Sequence, residues 1–298
     1  MRARYLNPFT DFGFKKIFGE EASKVLLMDF LNSLLPDYDQ IKSLSFKNTE
    51  KLGILERDRK AIYDIYCENE KGEKFIVELQ KAKQNFFKER TIFYSTFPIR
   101  EQADRGDWNF NLKSVYCIGI LDFTFDDYEN EQERNEVSHI IKLKNQHGKV
   151  FYDKLTYIYL EMPNFKKGEG ELSSRLDQWL FFIKNLEDFQ AMPTLFNDEL
   201  FSLAFEKAEL ANMNRAELDD YETSLKHYRD MKNVIDTAYD EGKMEGLMEG
   251  EIKGKMEGLM EGEIKGKMET ARALKALGIP IEIIINATSL SKDEIEKL

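Results

Sequence analysis

Three polar residues stand inside an otherwise apolar pair of strand-like segments. Asp64 lies in "AIYDIYCEN" (61–69), and Glu78 and Gln80 lie in "EKFIVELQK" (73–81). Side chains alternate along a strand, so Ile76, Glu78 and Gln80 share one face and Phe75, Val77 and Leu79 the other. On the first arm Ile62, Asp64 and Tyr66 share a face, opposite Ala61, Tyr63, Ile65 and Cys67. If Glu70-Lys71-Gly72 forms a three-residue loop with Gly72 left-handed, Asn69 pairs with Glu73. Counting inward then sets Asp64 against Glu78 and Ile62 against Gln80. A two-residue loop would instead set Asp64 against Leu79. The longer loop also keeps Tyr66 against Ile76 and is the preferred register.

Two carboxylates with Cβ atoms ~5 Å apart in a half-buried sheet repel each other and lose hydration. A shared proton, a basic partner or a divalent cation would relieve them. Mg²⁺ suits oxygen ligands and is held by one or two carboxylates, with water and phosphate completing its shell. A solvent-facing polar stripe on a sheet with one wet face is the plainer alternative. The following residues favour the cation. Lys81, Lys83, Lys88 and Arg90 lead into a helix on which Arg90 and Tyr94 share a face at i, i+4. Acids beside a basic, aromatic helix suit a metal and a polyanion together, although each lysine taken singly reads as a solvated side chain.

The elements around this hairpin follow from periodicity. "NPFTDFGFKKIFG" predicts a first helix with Thr10 as its N-cap and Phe14, Ile17 and Phe18 on one face. Asp11 either caps that helix or leans into the site, with capping the preferred reading. A second helix runs from about Ser23 and ends before Pro36. "IKSLSFKN" (41–48) reads as a strand, and a helix of roughly Gln84 to Asp104, kinked or divided at Pro98, follows the hairpin. "SVYCIGILDFTF" (114–125) reads as a strand buried on both faces. "VSHIIKLKN" and "LTYIYLEM" suggest further strands, while "LSSRLDQWLFFIKNL" and 194–235 look helical. Helix, three strands, helix and strand describe an α/β domain whose first strands are antiparallel.

The C-terminal sixth differs. "GKMEGLMEGEIK" at 242–253 recurs unchanged at 254–265, with glycine every fourth residue from 242 to 266. Four residues advance a helix so that an apolar stripe drifts about 40° per beat. Each glycine costs about 1 kcal/mol relative to alanine. The stretch therefore reads as a self-associating helix or as a polar spacer. After it, 271–298 is a small helical unit in which Ser291 and Glu294 form a capping box. Its turn suggests a helix-turn-helix, but from Gly278 onward four acids face two lysines, which favours protein contact over DNA.

The hairpin and its surroundings resemble a known family. "TDFGFKKIFG", "LMDFLNSLLP", "DIYCENEKGEKFIVELQ" and "ERTIFYS" are similar to the Rpn-type recombination-promoting nucleases, transposase-like members of the PD-(D/E)XK nuclease superfamily. The resemblance runs from about Asn7 to residue 235, and the Glu/Lys/Gly-rich repeat and "SLSKDEI" end are similar to that family's tail. It implies a restriction-endonuclease-like core, αβββαβ, a mixed sheet flanked by helices, here with an α-helical C-terminal extension. It implies catalytic Asp64, Glu78 and Gln80, with Gln80 at the position that is Lys in much of the superfamily. Gln can orient a water but cannot stabilise charge as Lys would. Lys81 belongs to the opposite strand face, so Arg90 or Lys83 is the expected substitute cation.

The expected activity is a metal-dependent DNA endonuclease with little sequence choice, linked to recombination or transposition. Asp64, Glu78 and the Leu79 carbonyl would hold Mg²⁺, or Mn²⁺ in its place. Lys83, Lys88, Arg90 and Tyr94 would contact DNA. A nuclease fold without activity, assembling as a homo-oligomer through 241–298, is the alternative. The expected divisions are 1–235, 236–270 and 271–298.

Composition bounds these readings. With 298 residues, 42 % hydrophobic and 12 % aromatic, the chain can bury a large core. No apolar run approaches the ~18 residues of a membrane helix; the longest are pieces such as "VLLM" (25–28) and "LFFI" (180–183). No membrane partner is expected, and the N-terminus lacks a signal-peptide core, so a cytoplasmic location is expected. Cys67 and Cys117 are too few for a disulfide framework or a zinc cluster and read as buried thiols. The net charge of −12 confines any nucleic-acid surface to a patch such as Lys81–Arg105, which has six basic and three acidic residues. With three histidines and none beside a motif serine or cysteine, a Ser or Cys hydrolase is disfavoured.

Overall fold

In the computed structural model, which describes residues 3–51, 61–103 and 109–298, the chain enters its first helix at Thr10. The Thr10 hydroxyl accepts the Gly13 N–H at 2.9 Å and so caps α1 (Asp11–Phe18). Asp11 stands in the first turn and pairs with Lys15 at 2.9 Å, so the expected capping role belongs to Thr10 and not to Asp11. Phe14, Ile17 and Phe18 bury one face of α1 against Leu26, Leu27, Phe30 and Leu31 of α2 (Lys24–Leu34).

The main sheet has six strands. In chain order they are β1 (Leu44–Phe46), β4 (Ile65–Asn69), β5 (Lys74–Gln80), β6 (Val115–Leu121), β7 (Ser138–Lys144) and β8 (Val150–Glu161). Their spatial order is β1-β4-β5-β6-β8-β7. β4 runs antiparallel to both β1 and β5; β6 and β8 join parallel to β5. Every residue of β6 is buried, as expected for a strand covered on both faces. A separate two-stranded pair joins β2 (Glu50–Lys51) to β3 (Ala61–Ile62). The helices, three antiparallel strands, helix and parallel strand give the αβββαβ order of a restriction-endonuclease-like α/β fold.

One face of the sheet packs on a large aromatic core built with α1, α2, α5 (Arg175–Asn185) and α6 (Glu199–Ala208), centred on Phe18, Phe30, Trp179, Phe182 and Phe201. The other face packs on α3 (Phe87–Arg100) through Tyr63, Tyr66, Ile76, Phe87 and Phe97. Helix α3 begins three residues later than periodicity suggested, after Phe86, whose φ is +61°; the expected end at Asp104 lies outside the described residues. Pro98 does not divide α3. It sits in the last turn, where it offers no N–H to the Tyr94 carbonyl; the Tyr63 hydroxyl donates to that carbonyl instead, at 3.0 Å. Both cysteines are buried free thiols, and burial pushes Cys67 up to about 12.

The chain divides into two compact units, one ending at Asn233 and the other running from Val234 to Leu298. Helix α7 (Arg215–Ala276) contains the whole glycine repeat, so the spacer reading gives way to a helix. Met244, Met248, Ile252, Met256, Met260 and Ile264 are exposed along it. At the end of this unit Ala271 packs with Ile284 of α8 (Ile281–Thr288) and Ile295 of α9 (Lys292–Glu296). Ser291 and Glu294 form the anticipated capping box, with Glu294 accepting the Ser291 N–H at 2.8 Å. Among the described residues no helix is long and apolar enough to cross a membrane.

Candidate active site

The hairpin loop sets the geometry. Gly72 has φ +78°, a conformation that favours glycine. The Asn69 side-chain oxygen accepts the N–H groups of Lys71 and Glu73 at 3.0 and 2.9 Å, and the Asn69 N–H donates to Glu73 O at 3.1 Å. The loop therefore has three residues. The register follows as expected: Cys67 opposes Phe75, Tyr66 opposes Ile76, and Ile65 opposes Val77. One further step would place Asp64 against Glu78.

At that step the ladder breaks. The next bonded pair in an antiparallel ladder would be Tyr63 with Leu79. Instead the Tyr63 N–H donates to Thr49 O at 3.0 Å, and the Leu79 N–H donates to Asp64 Oδ2 at 2.7 Å. Asp64 sits at a bend between β3 and β4. Three expectations fail here. Asp64 is not set against Glu78, because the ladder ends at Ile65 and Val77. Ile62 pairs with Glu50 rather than opposing Gln80, and it is 60 % exposed. Tyr63 leaves the face of Ile65 and Cys67 and joins Tyr66 on the α3 side.

The bend has a consequence for Leu79. Odd-numbered residues of β5 turn their main-chain groups toward β4, and even-numbered ones toward β6, as the Gln80 carbonyl shows by accepting the Asp122 N–H at 2.8 Å. The Leu79 carbonyl thus faces the side where Asp64 lies, with its ladder donor, the Tyr63 N–H, committed elsewhere.

Glu78 is buried, and its Oε1 has no hydrogen-bond partner. Burial, first, and the charge of Asp64, second, push its carboxyl up to about 8, against the opposing pull of Arg90 and the Asp64 N–H. Asp64 is also raised, mainly by burial, while the Leu79 N–H and the charge of Lys15 hold it down. Glu78 thus feels the charge of Asp64 although the ladder ends before it would set the two directly opposite. Gln80 is half-buried on the Glu78 face, two residues on. Among the described residues no group of three or more His, Cys, Asp or Glu side chains gathers to hold a metal. What this place offers is two carboxylates and a main-chain oxygen.

A protein-family model described as a PD-(D/E)XK nuclease family transposase matches residues 8–238. The chain belongs to that family. No curated protein and no solved structure matches it.

For a PD-(D/E)XK nuclease chain, the α3 side is less open to a substrate than its sequence suggested. Lys83 is paired with Asp126, and Lys88 with Asp127 at 2.5 Å, both acids lying on the segment after β6. Arg90 lies over the rings of Phe87 and Tyr94, at 5.6 and 5.7 Å, donates to Gln84, and keeps a buried Nε without a partner. Its charge acts inward, on Glu78. Tyr94 is half-buried with its ring edge-on to Tyr63.

On the α1 side the structure brings in Lys15 and Lys81, which the sequence reading did not assign to the site, and Asp11, for which leaning into the site was the less favoured reading. Asp64 feels Lys15 and Asp11 of α1, and also Lys81. Strand parity does put Lys81 on the face opposite Glu78, as expected, but the bend turns the Asp64 carboxylate within its influence. The signal was available in two places: the i, i+4 spacing of Asp11 and Lys15, and the odd number of Lys81.

Proposed function

We propose that the chain is a divalent-metal-dependent endonuclease acting on DNA, with Asp64, Glu78 and the Leu79 carbonyl as the metal-holding set. The observation that carries this reading is the buried, unpartnered Oε1 of Glu78 beside a second carboxylate. An ionised oxygen in that position is costly unless a cation compensates it. The donors are all oxygens, and two carboxylates with one carbonyl leave room for waters and a phosphate oxygen, the pattern that suits Mg²⁺. Mn²⁺ accepts the same ligand types. Such an ion supplies a water acidic enough to attack at neutral pH and positive charge for the phosphate.

The chain's own residues have separable tasks. The Leu79 N–H fixes Asp64 through the 2.7 Å hydrogen bond. Arg90 favours the ionised form of Glu78. Gln80, on the Glu78 face, donates and accepts hydrogen bonds and would orient the attacking water. Affinity through backbone phosphates carries little sequence choice. Recombination or transposition is the setting that the family description favours.

The test is cleavage of supercoiled plasmid in Mg²⁺ or Mn²⁺. Wild type should nick and linearise it, and Asp64→Ala and Glu78→Ala should each lose at least about 100-fold in rate, as loss of a metal ligand demands. Wild-type rates in both variants would remove these acids from the chemistry.

A further inference from the structure

The carboxylate pair can be approached from two sides of the sheet, and the two differ in space. On the α3 side, the cavity bounded by Glu78, Phe87, Thr91 and Tyr94 is about 10 Å³, room for no more than a water. Of the nearby cations there, Lys83 and Lys88 stand in exposed pairs with Asp126 and Asp127 and Arg90 lies over aromatic rings, so what limits this side is space.

On the α1 side, Asp64 opens onto a pocket of about 380 Å³ that Lys15, Phe46, Lys47, Thr49 and the paired Lys16 and Glu20 also line. Lys47 is held by Glu68 at 3.2 Å. Lys15 pairs with Asp11 through side chains about half exposed, an arrangement that a phosphate can displace at little cost. Lys81 comes directly off the end of β5 on the Leu79 face, where α1 packs. Its charge acts on Asp64, Asp11 and Lys15 together. It is half-buried, and no ion pair of Lys81 occurs among the described residues.

Granted the nuclease reading above, we propose that the scissile phosphodiester approaches from the α1 side and that Lys81, with Lys15 beside it, is the cation that touches it. A lysine there supplies the charge that Gln80 cannot. An ammonium ion close to the reacting phosphate stabilises charge as it develops, in a partly desolvated place where such contacts are strong.

The test compares Lys81→Gln and Lys81→Arg in single-turnover cleavage of duplex DNA with Mg²⁺, with Lys144→Gln as a remote surface control. Fluorescence anisotropy in metal-free buffer reads binding, and melting temperatures confirm folding. Lys81→Gln should cleave about 100-fold more slowly, and the salt slope of its binding should fall by about one. Lys81→Arg should recover most of the rate, which a lost structural contact would not allow. Wild-type cleavage by Lys81→Gln, with Asp64→Ala inactive, overturns the Lys81 assignment and leaves the nuclease reading standing. A Lys83→Gln/Lys88→Gln pair that falls as far as Lys81→Gln overturns the choice of side. Absence of cleavage by wild type overturns the nuclease reading and this inference with it.

Discussion

Replacing Glu78 by Gln keeps the side-chain shape and removes the titration, so it isolates what this buried carboxyl does to stability. In the folded chain its proton is held up to about 8, against an ordinary 4.5. Between those values the unfolded chain has released a proton that the folded chain keeps. Stability is therefore greatest below the ordinary carboxylate range and falls as pH rises through this window, by about 1.4 kcal/mol per pH unit. From pH 5 to pH 7.5 the loss sums to about 3 kcal/mol. For a unit of this size that corresponds to roughly 6–12 °C in melting temperature.

Other acids titrate as well, and Asp177 and Glu68, both lowered by lysine partners and hydrogen bonds, act in the opposite sense. The informative quantity is thus the difference between wild type and Glu78→Gln at each pH. In metal-free buffer it should move by about 3 kcal/mol in favour of Gln as pH rises over that span. Adding Mg²⁺ should raise the wild-type melting temperature, more so at higher pH, because a cation bound to the ionised acids competes with the proton. The Gln variant should gain little. A difference that stays flat with pH would refute the proton-holding Glu78, and an equal Mg²⁺ response in both proteins would refute its place in a metal set.

Two further substitutions probe the scaffold. Tyr63→Phe removes the donor to the Tyr94 carbonyl, which Pro98 cannot serve, and should cost about 1–3 kcal/mol in urea unfolding; an unchanged midpoint would mean that water satisfies that carbonyl. Thr10→Ala should cost about 1 kcal/mol through loss of the α1 cap, whereas Asp11→Ala should cost about 0.3–0.5 kcal/mol, the worth of an exposed i, i+4 pair. Equal losses in the two variants would return the capping role to Asp11.

The loop and register of the hairpin were legible because they rest on local rules. A glycine able to adopt positive φ fixes the loop length, and the period of two then fixes which residues oppose one another. The buried central strand was legible for a similar reason, since "VYCIGIL" has no polar face to expose. The break at Asp64 was not. "YDIY" alternates as well as any strand, and what ends the ladder is a distant acceptor, the Thr49 carbonyl, which takes the Tyr63 N–H. The pairing of Lys83 and Lys88 was equally hidden, because Asp126 and Asp127 return from beyond β6. In the glycine repeat, propensity left helix and spacer open, and the chain adopts the helix.

The break at Asp64 is what turns an ordinary hairpin into a candidate site. Had the ladder run on, the Leu79 N–H and carbonyl would both have been consumed by Tyr63, and Asp64 would have projected onto the α3 face with Glu78, into a cavity of about 10 Å³. The bend instead anchors Asp64 on the Leu79 N–H, releases the Leu79 carbonyl from its ladder partner, and opens the acid to a pocket of about 380 Å³. Glu78 stays behind in the sheet, unpartnered at Oε1. The two acids therefore stand at a boundary, one facing the interior and one, half-buried, facing the pocket. A cation seated between them would relieve the buried Glu78 and meet a substrate arriving through the pocket at Asp64, a division of labour that a pair buried side by side on one face would not permit.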